Sequence, residues 1–165
     1  MPFDAEMERT AAALLQACRA RGLRVATAES CTGGLISACL TAIPGSSDIF
    51  ECGVVSYSNE SKSRLLGVPR DAISDHGAVS DIVASAMAEG ALAQCDADIA
   101  ISVTGIAGPD GGTKDKPVGL VFLALAETDQ DAMVKRYVFA GTRTDIRRAT
   151  VAAALELLLG RLKEI

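Results

Sequence analysis

The 165-residue chain has no tryptophan, a single histidine and, as its only aromatics, two tyrosines and four phenylalanines. Each shortage excludes something. With His76 as the sole imidazole, a Ser-His-Asp triad must use it, and a multi-histidine metal site has no ligands. So few aromatic rings leave little on which unpaired bases could stack. Sixteen Lys plus Arg against 21 Asp plus Glu give a formal net charge of −5, which argues against electrostatic capture of DNA. No apolar run approaches the roughly 18 residues that span a bilayer. The start, Met1-Pro2-Phe3-Asp4-Ala5-Glu6, lacks the basic and apolar segments of a signal peptide. Cys18, Cys31, Cys39, Cys52 and Cys95 are odd in number and form no C-x-x-C pair, as expected of thiols in a reducing compartment and not of a zinc site. The expectation is a cytoplasmic protein with no metal, no nucleic acid and no membrane among its partners.

What is present is globular. The composition is 49% apolar and 22% charged, and a chain of this size buries roughly 70% of its unfolded surface. A core therefore needs no disulfide or metal staple, and one domain over residues 1–165 is expected. Met7, Ala11, Leu14, Leu15 and Cys18 recur at helical spacing between an Asp4 cap and a Gly22 stop. Leu23 to Ala28 predicts a strand, followed by a small polar turn and a helix carrying Leu35, Ile36, Cys39, Leu40 and Ile43. Phe50 to Ser58 predicts a second strand, with Asn59 as the cap of a short helix ending at Gly67. Pro69 opens a turn, and Ser80 caps a helix over about 81–95. Strands are predicted at Asp98 to Thr104, Val118 to Ala126 and Met133 to Phe139, and a closing helix at about 145–163. The alternation implies a three-layer α/β/α domain. Its sheet should be mixed, because the last strands are too close for helical crossovers.

Three polar or glycine-rich segments follow predicted strands. In open α/β sheets, ligands collect beyond the carboxyl ends of parallel strands, so these segments could build one pocket. In Glu29-Ser30-Cys31-Thr32-Gly33-Gly34, Ser30 could be a nucleophile, with free helix N–H groups holding an anion or oxyanion; equally, Ser30 or Thr32 could only cap the helix. Cys31 is an alternative nucleophile or a small core residue. Tyr57-Ser58-Asn59-Glu60-Ser61-Lys62 offers a base where imidazole is scarce. A lysine in a first helical turn, near the positive end of the dipole, suits a lowered pKa, and Tyr57 could orient its amine or relay a proton. The alternative is a solvated lysine beside a partly buried tyrosine. Thr104 to Gly112 holds four glycines in nine residues, a density that lets backbone approach a ligand, yet it is neither a Walker A loop nor G-x-G-x-x-G. Arg143, Arg147 and Arg148 crowd the start of the closing helix, where carboxylates are preferred; they could take a phosphate or lie in water while Asp145 answers the dipole. His76 is expected in a loop, in a structural hydrogen bond.

Taken together, Ala28-Glu29-Ser30-Cys31-Thr32-Gly33-Gly34, Gly53-Val54-Val55-Ser56-Tyr57-Ser58-Asn59-Glu60-Ser61-Lys62, His76-Gly77-Ala78-Val79-Ser80 and Gly105-Ile106-Ala107-Gly108-Pro109-Asp110-Gly111-Gly112, with Lys116-Pro117-Val118-Gly119, resemble the CinA C-terminal domain family in the family's order. The chain is similar to the family's stand-alone bacterial members, which are nicotinamide mononucleotide amidohydrolases. The resemblance implies hydrolysis of that nucleotide's carboxamide to nicotinic acid mononucleotide and ammonia, in pyridine nucleotide recycling, without a cofactor. It implies Ser30 as nucleophile, activated by Lys62 with Tyr57. Thr32, Gly33, Gly34, Thr104, Gly105, Ala107 and Gly108 would bind substrate, with Arg143 and Arg147 as phosphate candidates. A non-catalytic nucleotide sensor, or an interaction domain for a CinA-type partner, would keep the same pocket without turnover. The Ala-rich helices could support a homo-oligomer or serve as ordinary core.

Overall fold

The computed structural model describes residues 3–165; Met1 and Pro2, on which the expectation of no signal peptide partly rests, lie outside the described residues. Helix α1 (Ala5–Arg21) begins where the Asp4 side chain accepts from the N–H groups of Glu6 and Met7. It ends on Gly22, whose φ of 66° is the left-handed conformation that glycine adopts without strain. Strand β1 (Val25–Glu29) leads to α2 (Leu35–Thr41), then β2 (Phe50–Val55), α3 (Asn59–Leu66), α4 (Arg70–His76) and α5 (Asp81–Gln94). Strands β3 (Ile99–Gly105), β4 (Leu120–Glu127) and β5 (Met133–Val138) follow, and α6 (Arg143–Glu164) closes the chain.

The sheet order is β2-β1-β3-β4-β5. β2, β1 and β3 run parallel, in registers such as Thr27 opposite Gly53 and Ile101, whereas β4 and β5 return antiparallel as a hairpin-connected pair. Helices α1, α2 and α6 cover one face, over a core that includes Leu14, Leu40, Ile101, Leu123 and Leu158. Helices α3, α4 and α5 cover the other, around Ala28, Leu66, Val83 and Met87. The expected three layers and mixed sheet are therefore present. β1 is buried along its whole length because it is central and covered on both faces.

Some boundaries differ from the sequence reading. Ser58, not Asn59, caps α3, in a reciprocal capping box with Ser61. Residues 70–76 form α4 where a turn was expected: the φ of −59° at Pro69 suits a helix start, and Ile73 gives this short helix its apolar anchor. His76 thus ends a helix instead of sitting in a loop. Helix α6 begins two residues early, capped by Thr142 with Asp145 returning the bond. Cys52 on β2 and Cys95 after α5 are joined as a disulfide with Cα atoms 5.8 Å apart, which corrects the expectation of thiols throughout. Cys18, Cys31 and Cys39 are free. Among the described residues, no helix is long and apolar enough to cross a membrane.

Candidate active site

The carboxyl ends of β2, β1 and β3 lie side by side, so Ser56-Tyr57, Ser30 and Gly105 emerge at one edge of the sheet. Alternation along β1 sends successive side chains to opposite faces. Thr27 and Glu29 accordingly meet Ser37 of α2, while Ser30 turns toward α3. The backbone here is tied on both sides: the Ser30 N–H donates to the Val103 carbonyl at 3.1 Å, and the Ser56 N–H donates to the Glu29 carbonyl at 2.9 Å.

Lys62, on the inner side of α3, is 1% exposed, and Ser30 is 8% exposed. Lys62 Nζ lies 2.9 Å from Ser30 Oγ, and donates to the carbonyls of Ser56 at 2.8 Å and Tyr57 at 3.3 Å. All three partners are neutral. Burial pushes the Lys62 amine below its ordinary pKa of 10.5, since the charged form has lost its water. The same burial pushes the neighbouring Cys31 thiol up to about 11, which keeps it protonated near neutrality.

These groups line a cavity of about 210 Å³ with Tyr57, Asn59, Thr104, Gly105, Ala107 and Arg143. Ala78 and Val79, from the loop between α4 and α5, complete it. Sequence reasoning gave Asn59 only the part of a helix cap and assigned no role to Ala78 or Val79, although all three stand in motifs that carry the family resemblance. The Thr104 hydroxyl donates to the Ala78 carbonyl at 2.7 Å and so joins that loop to β3. Gly105 allows close packing: a Cβ there would come within 2.7 Å of Val121 Cγ2 and 2.8 Å of the Leu120 carbonyl oxygen.

Other predicted site residues lie behind this lining. Thr32 is buried, with its hydroxyl on Glu29 at 2.7 Å. Gly33 and Gly34, with φ of 61° and 96°, turn the chain from β1 into α2. Arg147 holds that turn from outside, donating to the carbonyls of Cys31 at 3.1 Å and Thr32 at 2.8 Å. Arg143 instead reaches the cavity, donating to the Gly108 carbonyl and the Tyr57 hydroxyl, each at 2.9 Å. Tyr57 therefore meets Lys62 through its carbonyl, while its side chain is 60% exposed and its phenol faces Arg143. The N–H groups expected to hold an oxyanion are divided. Those of Gly34, Ile36 and Ser37 donate to the Glu29 carboxylate, and that of Gly33 to the Ser30 carbonyl. The N–H groups of Cys31 and Thr32 donate to no other of the described residues, and that of Cys31 lies against its own thiol.

A buried amine whose pKa burial lowers, set against a serine hydroxyl beside the turn into α2, has the parts for serine-based acyl transfer. The CinA C-terminal domain family matches residues 7–162. The chain is similar to the nicotinamide-nucleotide amidohydrolase PncC of Escherichia coli K12, 46% identical over 155 residues that cover 94% of each chain. It is 54% identical over 144 residues to a CinA-like protein of Geobacter sulfurreducens, covering 87% of this chain and 35% of that longer relative. Among solved structures, the competence/damage inducible protein CihA from Agrobacterium tumefaciens superposes with a TM-score of 0.94 at 44% identity, covering 98% of both chains.

Proposed function

We propose, because this chain belongs to the CinA C-terminal domain family, that it hydrolyses the carboxamide of nicotinamide mononucleotide to nicotinic acid mononucleotide and ammonia, a step in pyridine nucleotide recycling. The observation that carries this reading is the buried Lys62 amine 2.9 Å from Ser30 Oγ. The 46% identical relative, a nicotinamide-nucleotide amidohydrolase, supports the substrate.

A neutral amine has two hydrogens and one lone pair. The Ser56 and Tyr57 carbonyls take the hydrogens, leaving the lone pair for the Ser30 hydroxyl. Ser30 Oγ bonds to the amide carbon as its proton passes to Lys62 Nζ, and the carbonyl oxygen, now anionic, meets the Cys31 and Thr32 N–H groups. On collapse the C–N bond breaks, Lys62 returns the proton to the departing nitrogen, and ammonia leaves. Water, deprotonated by the same amine, then cleaves the acyl-serine ester and regenerates Ser30. The pyridinium ring assists by withdrawing electrons from the carbonyl and by disfavouring an ammonium at Lys62. Tyr57 orients the amine through its carbonyl. Thr104, Gly105 and Ala107 contact the substrate, while Thr32, Gly33, Gly34, Gly108 and Arg147 shape the surrounding turns. Arg143, whose guanidinium lines the cavity, takes the phosphate.

Ammonia release measured with nicotinamide mononucleotide, free nicotinamide and NAD tests this directly. Sustained turnover of the mononucleotide is expected, with free nicotinamide at least about tenfold poorer in kcat/KM. Arg143→Ala should raise KM for the mononucleotide about tenfold and leave free nicotinamide unaffected. Absence of ammonia with excess mononucleotide would reject the activity and favour a sensor; equal use of free nicotinamide would reject phosphate recognition. Cys31→Ser should keep kcat within about twofold, because a thiol protonated at neutrality supplies no nucleophile. Abolished turnover in that variant would move the chemistry to the thiol.

A further inference from the structure

The mechanism above uses Ser30 and Lys62 but not the residue before them in the turn. Glu29 ends β1 wholly buried and without an ion-pair partner among the described residues. Its carboxylate accepts five hydrogen bonds. Oε2 takes Thr32 Oγ1 at 2.7 Å, Gly34 N at 3.0 Å and Ile36 N at 3.1 Å; Oε1 takes Ser37 N and Ser37 Oγ at 2.8 and 2.7 Å. Ser37 Oγ is in turn 2.7 Å from Thr27 Oγ1. Gly53 leaves room for this pair: a Cβ there would lie 2.4 Å from Ser37 Oγ and 2.8 Å from Thr27 Oγ1.

We infer that Glu29 is the positioning residue of the nucleophile turn, an internal anion that fixes the Cys31 and Thr32 N–H groups relative to Ser30 Oγ. Backbone bonds to β2 and β3 hold the Glu29-Ser30 unit in the sheet. The carboxylate then pins the chain at Thr32 and at Gly34, on either side of the left-handed Gly33. The amides of Cys31 and Thr32 are those of the turn that neither the carboxylate nor another residue takes up, and they are the ones the proposed mechanism sets against the developing oxyanion. An acceptor with two oxygens is required, because every partner is a donor; the amide of glutamine would turn an NH2 toward one set of them. The same carboxylate occupies the N–H groups of α2, so the substrate's phosphate is bound elsewhere, at the Arg143 side.

This inference rests on the amidohydrolase reading for its kinetic test, so a second measurement is independent of substrate. In Glu29→Gln, kcat for the mononucleotide should fall about 100-fold with KM within about twofold, and the acid limb of the pH profile should not move. Unchanged kcat overturns the inference, as does a shifted acid limb, which would put the carboxylate in proton transfer. Should Glu29→Gln lose cooperative melting, Ser37→Ala, which deletes one donor, is expected to lower kcat about tenfold at unchanged KM; wild-type kcat there overturns it equally. Labelling of Ser30 by a fluorophosphonate, followed by intact mass, should be about tenfold slower in Ser37→Ala than in wild type. Equal labelling rates reject the role of Glu29. Labelling of wild type without ammonia release from the mononucleotide rejects the substrate and leaves the comparison of rates standing.

Discussion

Replacing Lys62 by methionine is expected to lower kcat for ammonia release by about 10³-fold, the usual contribution of a positioned general base. Ser30→Ala should lose as much, and the double variant little more, since the proposed mechanism has the two groups act as a unit. In the wild type, kcat/KM should rise with pH along a limb set by Lys62, at a pH below the ordinary 10.5 because burial disfavours the ammonium. Folding carries the opposite face of this shift. Between the lowered folded value and 10.5, the unfolded lysine holds a proton that the folded one has released, so stability rises with pH across that window. Below the window the cost of burying the charge is present in full. Lys62→Met abolishes this dependence. The melting temperature of wild type relative to the variant should therefore climb as pH rises toward 10.5; parallel melting curves would mean that the amine is not held in a shifted state.

The second large effect is expected from Gly90→Ala, far from the reacting atoms. Gly90 lies inside α5, where alanine would ordinarily gain about 1 kcal/mol in helix propensity. A Cβ at Gly90 would instead sit 1.9 Å from the Leu66 carbonyl oxygen and 2.8 Å from its carbon, both backbone atoms of α3. The two helices must separate, at a net cost of about 2–3 kcal/mol. For a domain of this length that lowers the melting temperature by roughly 5–10 °C. Lys62 stands one turn before Leu66 on the same helix, so the displaced α3 carries the amine with it. A misplacement of about 1 Å can cost on the order of 100-fold in rate. Calorimetry and ammonia release on one preparation check both parts, and a variant with wild-type melting would show that α5 and α3 do not meet at Gly90.

Much of this was legible before any coordinates. The alternation of helical and strand periodicity gave the layers, and the three polar segments after β1, β2 and β3 gave the edge where the cavity lies. Ser30 and Lys62 were legible as residue types; their approach depended on adjacent strand ends, which the order β2-β1-β3 supplies. Glu29 had no role assigned from sequence, because three of its five donors are backbone amides with no side-chain signature, and the other two are hydroxyls that the fold of the turn brings to it. One signal was available: an acidic residue closing the otherwise uncharged strand Val25-Ala26-Thr27-Ala28, directly before a double-glycine turn. Tyr57, Arg143 and Arg147 could not be oriented from sequence, since each is directed by a long-range contact, Tyr57 and Arg143 standing 86 positions apart. The Cys52–Cys95 pair, 43 residues apart, is of the same kind.

The strand order also governs when the site can come into being. The β4-β5 pairing joins neighbouring segments and requires only a short loop to close, but the parallel pairing of β1 with β3 sets Val25 against Ile99 and encloses α2, β2, α3, α4 and α5. Non-local pairings of this sort are the slow part of folding, because the entropy of closing the intervening chain is lost before any contact compensates it. Ser30 and Gly105 stand at the ends of those two strands. A nascent or refolding chain can thus hold its helices and its antiparallel hairpin and still have Ser30 and Gly105 apart, so the cavity they line is among the last features of the molecule to form.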